Sequence, residues 1–452
     1  MTISNASSFA LGAAAILAAA CGSSGGESVA ADDSSLATEL AIVSPSTLGG
    51  AIGDISAADF AAARDNFNQV EELTDGVGPI FNERACGNCH DQGASGGAGL
   101  QIERRFGRFV DGKFDPMANA GGSLRQLFSS GTFTSLGGQT CTIPVEQEPA
   151  NATVHDVGRL TTPLFGLGLV DAMPDAFFDD LAAAEPAAVR GHVNRVSIVL
   201  PNPTDPSQHV GDTRVARFGW KGGVPTLTQF AADAYLNEMG ITTQHCIAGV
   251  SITAFATESA PNGVPMPAGC DDLAPPAPEG VPIGTDDAVG SCGDGKTALQ
   301  GDVENFRRFM THLGPPPRGK VDSTVTHGGR VFASAGCADC HTQRVFVTPS
   351  PAPNGVPSAF RFRPFSDFLV HDMGSLGDRI GNPGDSVAVT RRMRTAPLWG
   401  LRFRTLLLHD GRATTVDEAV RAHAGQAAAS RDAFHDLCDS DRDALVAYVR
   451  SL

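Results

Sequence analysis

The hydrophobic pattern opens with an unbroken apolar run from Phe9 to Ala20, about as long as the core of a signal peptide and too short to cross a bilayer. Further on, Phe60, Phe67, Val70 and Leu73 recur at mixed three- and four-residue spacing, which predicts helix within residues 36–75, ending near Asp75-Gly76. Two more helices are predicted late in the chain. Val325, Val331 and Phe332 line a segment from Asp322 to Ala335, while Leu445, Val446, Val449 and Leu452 share one face of a terminal helix with Ser440 as its N-cap. Asp91 to Gly99 has no apolar period and reads as loop. Residues 161–170 are apolar and punctuated by glycine, a pattern for close packing against a neighbouring helix or a bound group. Residues 242–300 carry many Pro, Gly and Ala with little periodicity and read as an extended insertion. Gly314-Pro315-Pro316-Pro317-Arg318-Gly319 reads as a linker, which divides the chain into parts 36–313 and 321–452 joined by residues 314–320.

Composition sharpens this picture in two respects. A formal charge of −17 over 452 residues argues against nucleic acid and anionic membrane surfaces as partners. The apolar run ends in Ala18-Ala19-Ala20-Cys21, which resembles the lipobox of bacterial lipoproteins, with residues 21–35 as a tether, although no Lys or Arg precedes it. The expectation is a leader over residues 1–20 and a chain on the periplasmic side, anchored through a lipid on Cys21; a soluble periplasmic protein is the alternative. Membrane contact is then confined to that lipid, since no other apolar run is long enough to span.

Two pentads carry the candidate chemistry, Cys86-Gly87-Asn88-Cys89-His90 and Cys337-Ala338-Asp339-Cys340-His341. Two thiols three apart followed at once by histidine are the pattern of covalent c-type haem attachment, in which the thiols take the vinyl groups and the imidazole takes the iron. Zinc ribbons also use Cys-x-x-Cys, but they pair their knuckles over about 15–20 residues. Here Cys89 and Cys337 lie more than half the chain apart, and neither zinc nor a redox dithiol accounts for a histidine after both pairs. The expected cofactors are two covalently bound haems c, on Cys86, Cys89, Cys337 and Cys340, with His90 and His341 on the irons. Five cysteines remain, Cys141, Cys246, Cys270, Cys292 and Cys438, and the stretch holding Cys246, Cys270 and Cys292 is the expected place for a disulfide.

Further segments resemble the di-haem oxidoreductases related to bacterial di-haem cytochrome c peroxidases and MauG-type enzymes. They include Gly78-Pro79-Ile80-Phe81-Asn82, Arg217-Phe218-Gly219-Trp220-Lys221, Glu238-Met239-Gly240-Ile241-Thr242, Leu369-Val370-His371-Asp372-Met373-Gly374, Arg394-Thr395-Ala396-Pro397-Leu398-Trp399-Gly400 and His409-Asp410-Gly411-Arg412. The resemblance implies a mainly α fold of two cytochrome c-like haem domains with long loop-rich insertions, each with a helix before its pentad. In the second domain the terminal helix supplies the partner that such a helix crosses.

It also implies roles. Trp220 lies between the haems, and Gln229 and Glu238 sit over the peroxide-binding iron, Glu238 moving a proton between the oxygens and Gln229 orienting the peroxide. Two departures stand out: Lys221, Gly222 and Gly223 follow the tryptophan, and no histidine occurs between Asp91 and Val154, which leaves the first iron without a removable ligand there. Where the family places a methionine on the second iron, this chain has His423, with Met373 and Met393 as rivals; His371, His409, Arg394 and Arg412 are expected around propionates or backbone. The function implied is peroxide reduction or use at the first haem, with electrons from a small donor of the cytochrome or cupredoxin class entering at the second. A plain electron carrier and an oxidase of a partner protein are the alternatives.

Overall fold

The computed structural model describes residues 47–135, 137–247, 250–252, 255, 267, 269–270, 285–288 and 301–452, which fall in the unit Ile42–Leu452. The leader, Cys21, the tether, Cys292 and most of the insertion lie outside the described residues.

Helix α1, Ala57–Phe67, starts where Ser56 Oγ accepts the Asp59 N–H at 3.0 Å, and it buries Phe60, Ala63 and Phe67 along one face. It ends earlier than its apolar spacing predicts. Leu73 belongs to a separate short turn closed by Gly76 at φ 99°, and Val70 is 45% exposed. The buried face meets α4, Asp302–His312, through Phe60 and Phe309 at 5.5 Å and Phe67 and Phe309 at 4.7 Å between ring centroids. Between them in sequence come α2, Cys86–Cys89, and α3, Leu227–Met239. The glycine-punctuated stretch 161–170 packs on α4: a Cβ on Gly168 would lie 2.0 Å from the Thr311 carbonyl oxygen.

Later in the chain, α5, Ser323–Ser334, is capped by Asp322 Oδ1 on the Val325 N–H at 3.0 Å. It crosses the terminal helix α7, Asp439–Ser451, as predicted, but the N-cap of α7 is Cys438 rather than Ser440. Gly328 marks the crossing, since a Cβ there would lie 1.9 Å from the Ala444 carbonyl oxygen. Backbone meets backbone at that point, so Gly328→Ala is expected to destabilise the protein by about 1–3 kcal/mol or more. A lowered denaturant midpoint at unchanged slope is the readout, and an unshifted midpoint would show that the helices part without cost.

The expectation of a mainly α fold is not met. Helix takes 33% of the chain and strand 17%, spread over many small sheets, and two cytochrome c-like domains are not seen. The physical reason lies in residues 102–160. β1, Ile102–Val110, pairs with β2, Lys113–Asp115, with β3, Leu124–Arg125, and with β4, Val154–Leu160, all antiparallel. The first hairpin turns on Asp111 and Gly112, both at positive φ (50° and 74°), the geometry that a two-residue loop between twisted strands requires. A later pair, β5 (Val370–Asp372) and β6 (Arg392–Arg394), sets His371 opposite Met393.

The insertion carries a disulfide in the expected stretch. Cys270 bonds Cys141, across 129 residues, rather than a neighbour in its own stretch. One interior cluster joins Leu169, Val170, Phe178 and Val215 with Phe346, Phe362, Phe368 and Trp399.

Candidate functional site

Gly336, at φ 80°, reverses the chain after α5 and presents Cys337–Asp339 as a short turn, which brings the His341 N–H onto the Cys337 carbonyl at 3.0 Å. The imidazole Nδ1 lies 3.1 Å from the Phe365 carbonyl oxygen. A carbonyl can only accept, so Nδ1 carries the proton and Nε2 keeps its lone pair. Burial pushes His341 down to about 4, so it is neutral at pH 7 and able to ligate.

His423 stands at the C-terminal end of α6, Val416–Ala422, a helix fixed by the Thr415 and Glu418 capping box. Its Nδ1 donates to the Ala419 carbonyl at 2.8 Å, so its Nε2 is also left with a lone pair, and burial lowers its proton affinity. His341, His423, Cys337 and Cys340 line one cleft that encloses about 1320 Å³ of space, its open mouth included. Apolar side chains such as Phe332, Leu376, Leu401 and Val416 supply its walls. Met373 and Met393 line it too, but the Met393 sulfur lies 3.7 Å from Lys221 Nζ.

The first pentad is built alike. α2 places the His90 N–H on the Cys86 carbonyl at 3.0 Å, and His90 Nδ1 lies 3.2 Å from the Gly97 carbonyl oxygen, supplied by the predicted loop 91–99. Burial pushes His90 down to about 4. Phe67 of α1 packs 6.0 Å from its ring.

Glu238, in the last turn of α3, is clasped by the segment around Asn82. Its backbone carbonyl accepts the Asn82 and Glu83 N–H groups (2.7 and 3.2 Å), and its Oε2 accepts from Asn82 Nδ2 at 2.8 Å. Burial, then the charge of Glu103, pushes its carboxyl up to about 8. Gln229 does not join it. Nine residues along one α-helix amount to about 13.5 Å of rise and about half a rotation, which sets the two on opposite faces. Gln229 Oε1 instead accepts the N–H groups of Val199 and Leu200 (2.9 and 3.4 Å).

Trp220 donates through Nε1 to the Leu160 carbonyl at 2.7 Å, and its ring stands edge-on to His409 at 6.2 Å. Arg394 fixes this segment, its N–H on the Trp220 carbonyl (2.8 Å) and its Nε on that of Gly219 (2.7 Å). Trp220, Arg394, Ala396 and Arg404 line both the large cleft and a smaller hollow of about 350 Å³ that includes Thr162, whose backbone touches His90. The four side chains form a wall between the cleft and this hollow.

The donor set fits haem. None of Cys86, Cys89, Cys337 and Cys340 is in a disulfide, and burial keeps Cys86 and Cys337 as neutral thiols, pushed up to about 12. Arg404 Nε is buried in the shared wall with no hydrogen-bond partner among the described residues, a place where a carboxylate can be received. Arg412, expected in that role, is spent on Asp410 at 2.6 Å and does not line the cleft. Cys340, Asp367 and His371 do bring three donor atoms within 4.8 Å of one another. Both ring nitrogens of His371 are engaged there, Nε2 with Asp367 at 3.0 Å and Nδ1 with the Cys340 sulfur at 3.7 Å.

Sequence reasoning missed Glu103, Arg105 and Arg404. The first two follow from strand alternation in Ile102–Val110, whereas nothing local marks Arg404.

The sequence model of one family, described as "Di-haem oxidoreductase, putative peroxidase", matches residues 285–452. Among solved structures, hydrazine synthase of Kuenenia stuttgartiensis, pressurised with xenon, shares 16% identity at a TM-score of 0.24. That match covers 33% of this chain and 55% of the other, so the chain spans about half of that protein. No curated protein matches. The second pentad and His423 lie inside the matched segment, which is similar to the di-haem oxidoreductases, whereas Val189 and Trp220 bring residues from outside it to the cleft.

Proposed function

We propose that the chain carries two haems c, bound through thioethers to Cys86 and Cys89 and to Cys337 and Cys340, and reduces hydrogen peroxide beside the first. When bound, the haem irons supply the electron transfer for H2O2 + 2 e− + 2 H+ → 2 H2O, with the second haem taking electrons from a small donor of the cytochrome or cupredoxin class. The observation that carries this reading is shared by both pentads: each histidine spends Nδ1 on a backbone carbonyl and keeps Nε2 for a metal. His423 does the same in the cleft that His341 lines, and would offer the second iron a further imidazole ligand. At the first site the buried, proton-bearing carboxyl of Glu238 is suited to carry a proton from one peroxide oxygen to the other. Trp220 lines both the cleft and the hollow that Thr162 joins to His90, which supports a role for it in conduction between the haems. The Ala-Ala-Ala-Cys sequence at residues 18–21 supports export with a lipid on Cys21, and the Cys141–Cys270 disulfide suits an oxidising compartment.

Optical and EPR spectra of the purified holoprotein test the assignment. Two haems per chain are expected, one ferric centre high-spin and one low-spin. In Trp220→Phe the same spectra are expected with slower re-reduction of the first haem after peroxide. Colourless protein, or two low-spin centres that ignore peroxide, would overturn the reading.

A further inference from the structure

Glu103 belongs to none of the motifs that suggest peroxide chemistry. On β1 it stands directly opposite Arg159 of β4, and it shares a strand face with Arg105 two residues on. Arg105 grips its carboxylate with Nε at 2.6 Å and Nη2 at 3.2 Å, and Arg159 Nη1 approaches to 3.9 Å. On its other side the Glu103 carboxyl is in hydrogen-bond contact with that of Glu238. Two ionised carboxylates have only acceptors to offer each other, so a contact of this kind needs a proton between them. The arginine fork fixes Glu103 as the ionised member. Glu238, whose own side-chain donor is the neutral amide of Asn82, is the one that bears the proton.

We propose that Glu103 and Glu238 act as a one-proton pair, in which Glu103 is the positioning residue that keeps Glu238 loaded for proton transfer at the first haem. Its use rests on the peroxide reading, but its existence does not.

The surroundings agree with this assignment. Arg105 and Arg159 are the cations facing the pair, Asp233 and Asp378 the anions, and Cys86 and Cys89 are neutral whether thiols or thioethers. Arg159 is largely committed elsewhere: Nε bonds Asp378 at 2.8 Å and Nη2 lies 2.7 Å from the same carboxylate as an ion pair, while Asp378 also takes Lys221 Nζ at 3.0 Å. It therefore steadies Glu103 without stripping the proton from Glu238. Because burial and the Glu103 charge raise Glu238 to about 8, the proton is present at pH 7 and leaves as pH rises through that value.

Infrared titration of the ferric holoprotein in the carboxyl-stretching region, from about pH 5 to about pH 10, tests the pair. Burial also pushes Glu146 and Glu185 up to about 8, so the band of Glu238 is the part of the wild-type protonated-carboxyl signal that Glu238→Gln removes, and it is expected to disappear near pH 8. Glu103→Gln should move its midpoint down by about one unit or more, a tenfold loss of proton affinity, because the neighbouring charge is gone. Glu103→Asp, which keeps that charge, should restore most of the shift. An unmoved midpoint in Glu103→Gln overturns the proposal. So does the absence of any protonated carboxyl at pH 7 in the wild type, a result that needs no variant to fold. No peroxide is present in the measurement, so a normal band without turnover sinks the peroxide reading alone, and normal turnover without the band sinks the pair alone.

Discussion

Glu238→Gln lowers peroxide reduction by about 10²- to 10⁴-fold while the absorption spectra of both haems stay as they are. The expectation follows from what the amide keeps and what it loses. Glutamine preserves the length of the side chain and a hydrogen bond with Asn82, so the clasp between the end of α3 and the Asn82 segment should hold. What disappears is a group that can give up a proton at one atom and take one back at another. Stopped-flow mixing with peroxide reads the rate, and the spectra of the resting variant control for displacement of the haem. Turnover within about twofold of wild type would remove Glu238 from the chemistry and favour a plain electron carrier.

The second large effect is at His423. Replacing it with alanine should convert the second ferric haem from low-spin to high-spin, and His423→Met should raise its reduction potential, because a thioether favours the ferrous state more than an imidazole does. His341 and His423 reach the cleft by the same device, Nδ1 on a carbonyl and Nε2 left over, from a loop and from the end of a helix respectively. Met393 is a poorer rival, its sulfur lying against the Lys221 ammonium. A low-spin second haem that persists in His423→Ala would hand the position to Met373 or Met393. Redox titration followed optically, together with EPR, decides between these outcomes.

Much of the candidate site was legible in the sequence because haem attachment is local chemistry: five consecutive residues carry thiols and ligand, and the loop 91–99 is marked by its small residues. The helices around the second pentad were legible for the same reason, since their apolar positions repeat over about two turns. α4 was within reach as well, for Val303, Phe306 and Met310 repeat at helical spacing, although the irregular insertion just before it obscures where the pattern starts. The hairpin at Asp111-Gly112 carries a recognisable turn signal, whereas the mainly α expectation rested on the family resemblance. Gln229 illustrates a different limit. The resemblance pairs it with Glu238, yet on a single helix nine residues turn a side chain away. Glu103 and Arg404 reach their places through strand pairing and a distant loop, information that no local window contains.

The wall of Trp220, Arg394, Ala396 and Arg404 bears on how far this protein can be cut and recombined. Three of its four members come from the segment matched by the family and one from outside it, and Arg394 is stitched by two hydrogen bonds to the strip that holds the tryptophan. A graft that imports a foreign second-haem segment therefore also replaces most of the partition that the first site leans on. Exchange of that segment alone is not a neutral swap; the Gly219–Trp220 strip has to travel with it.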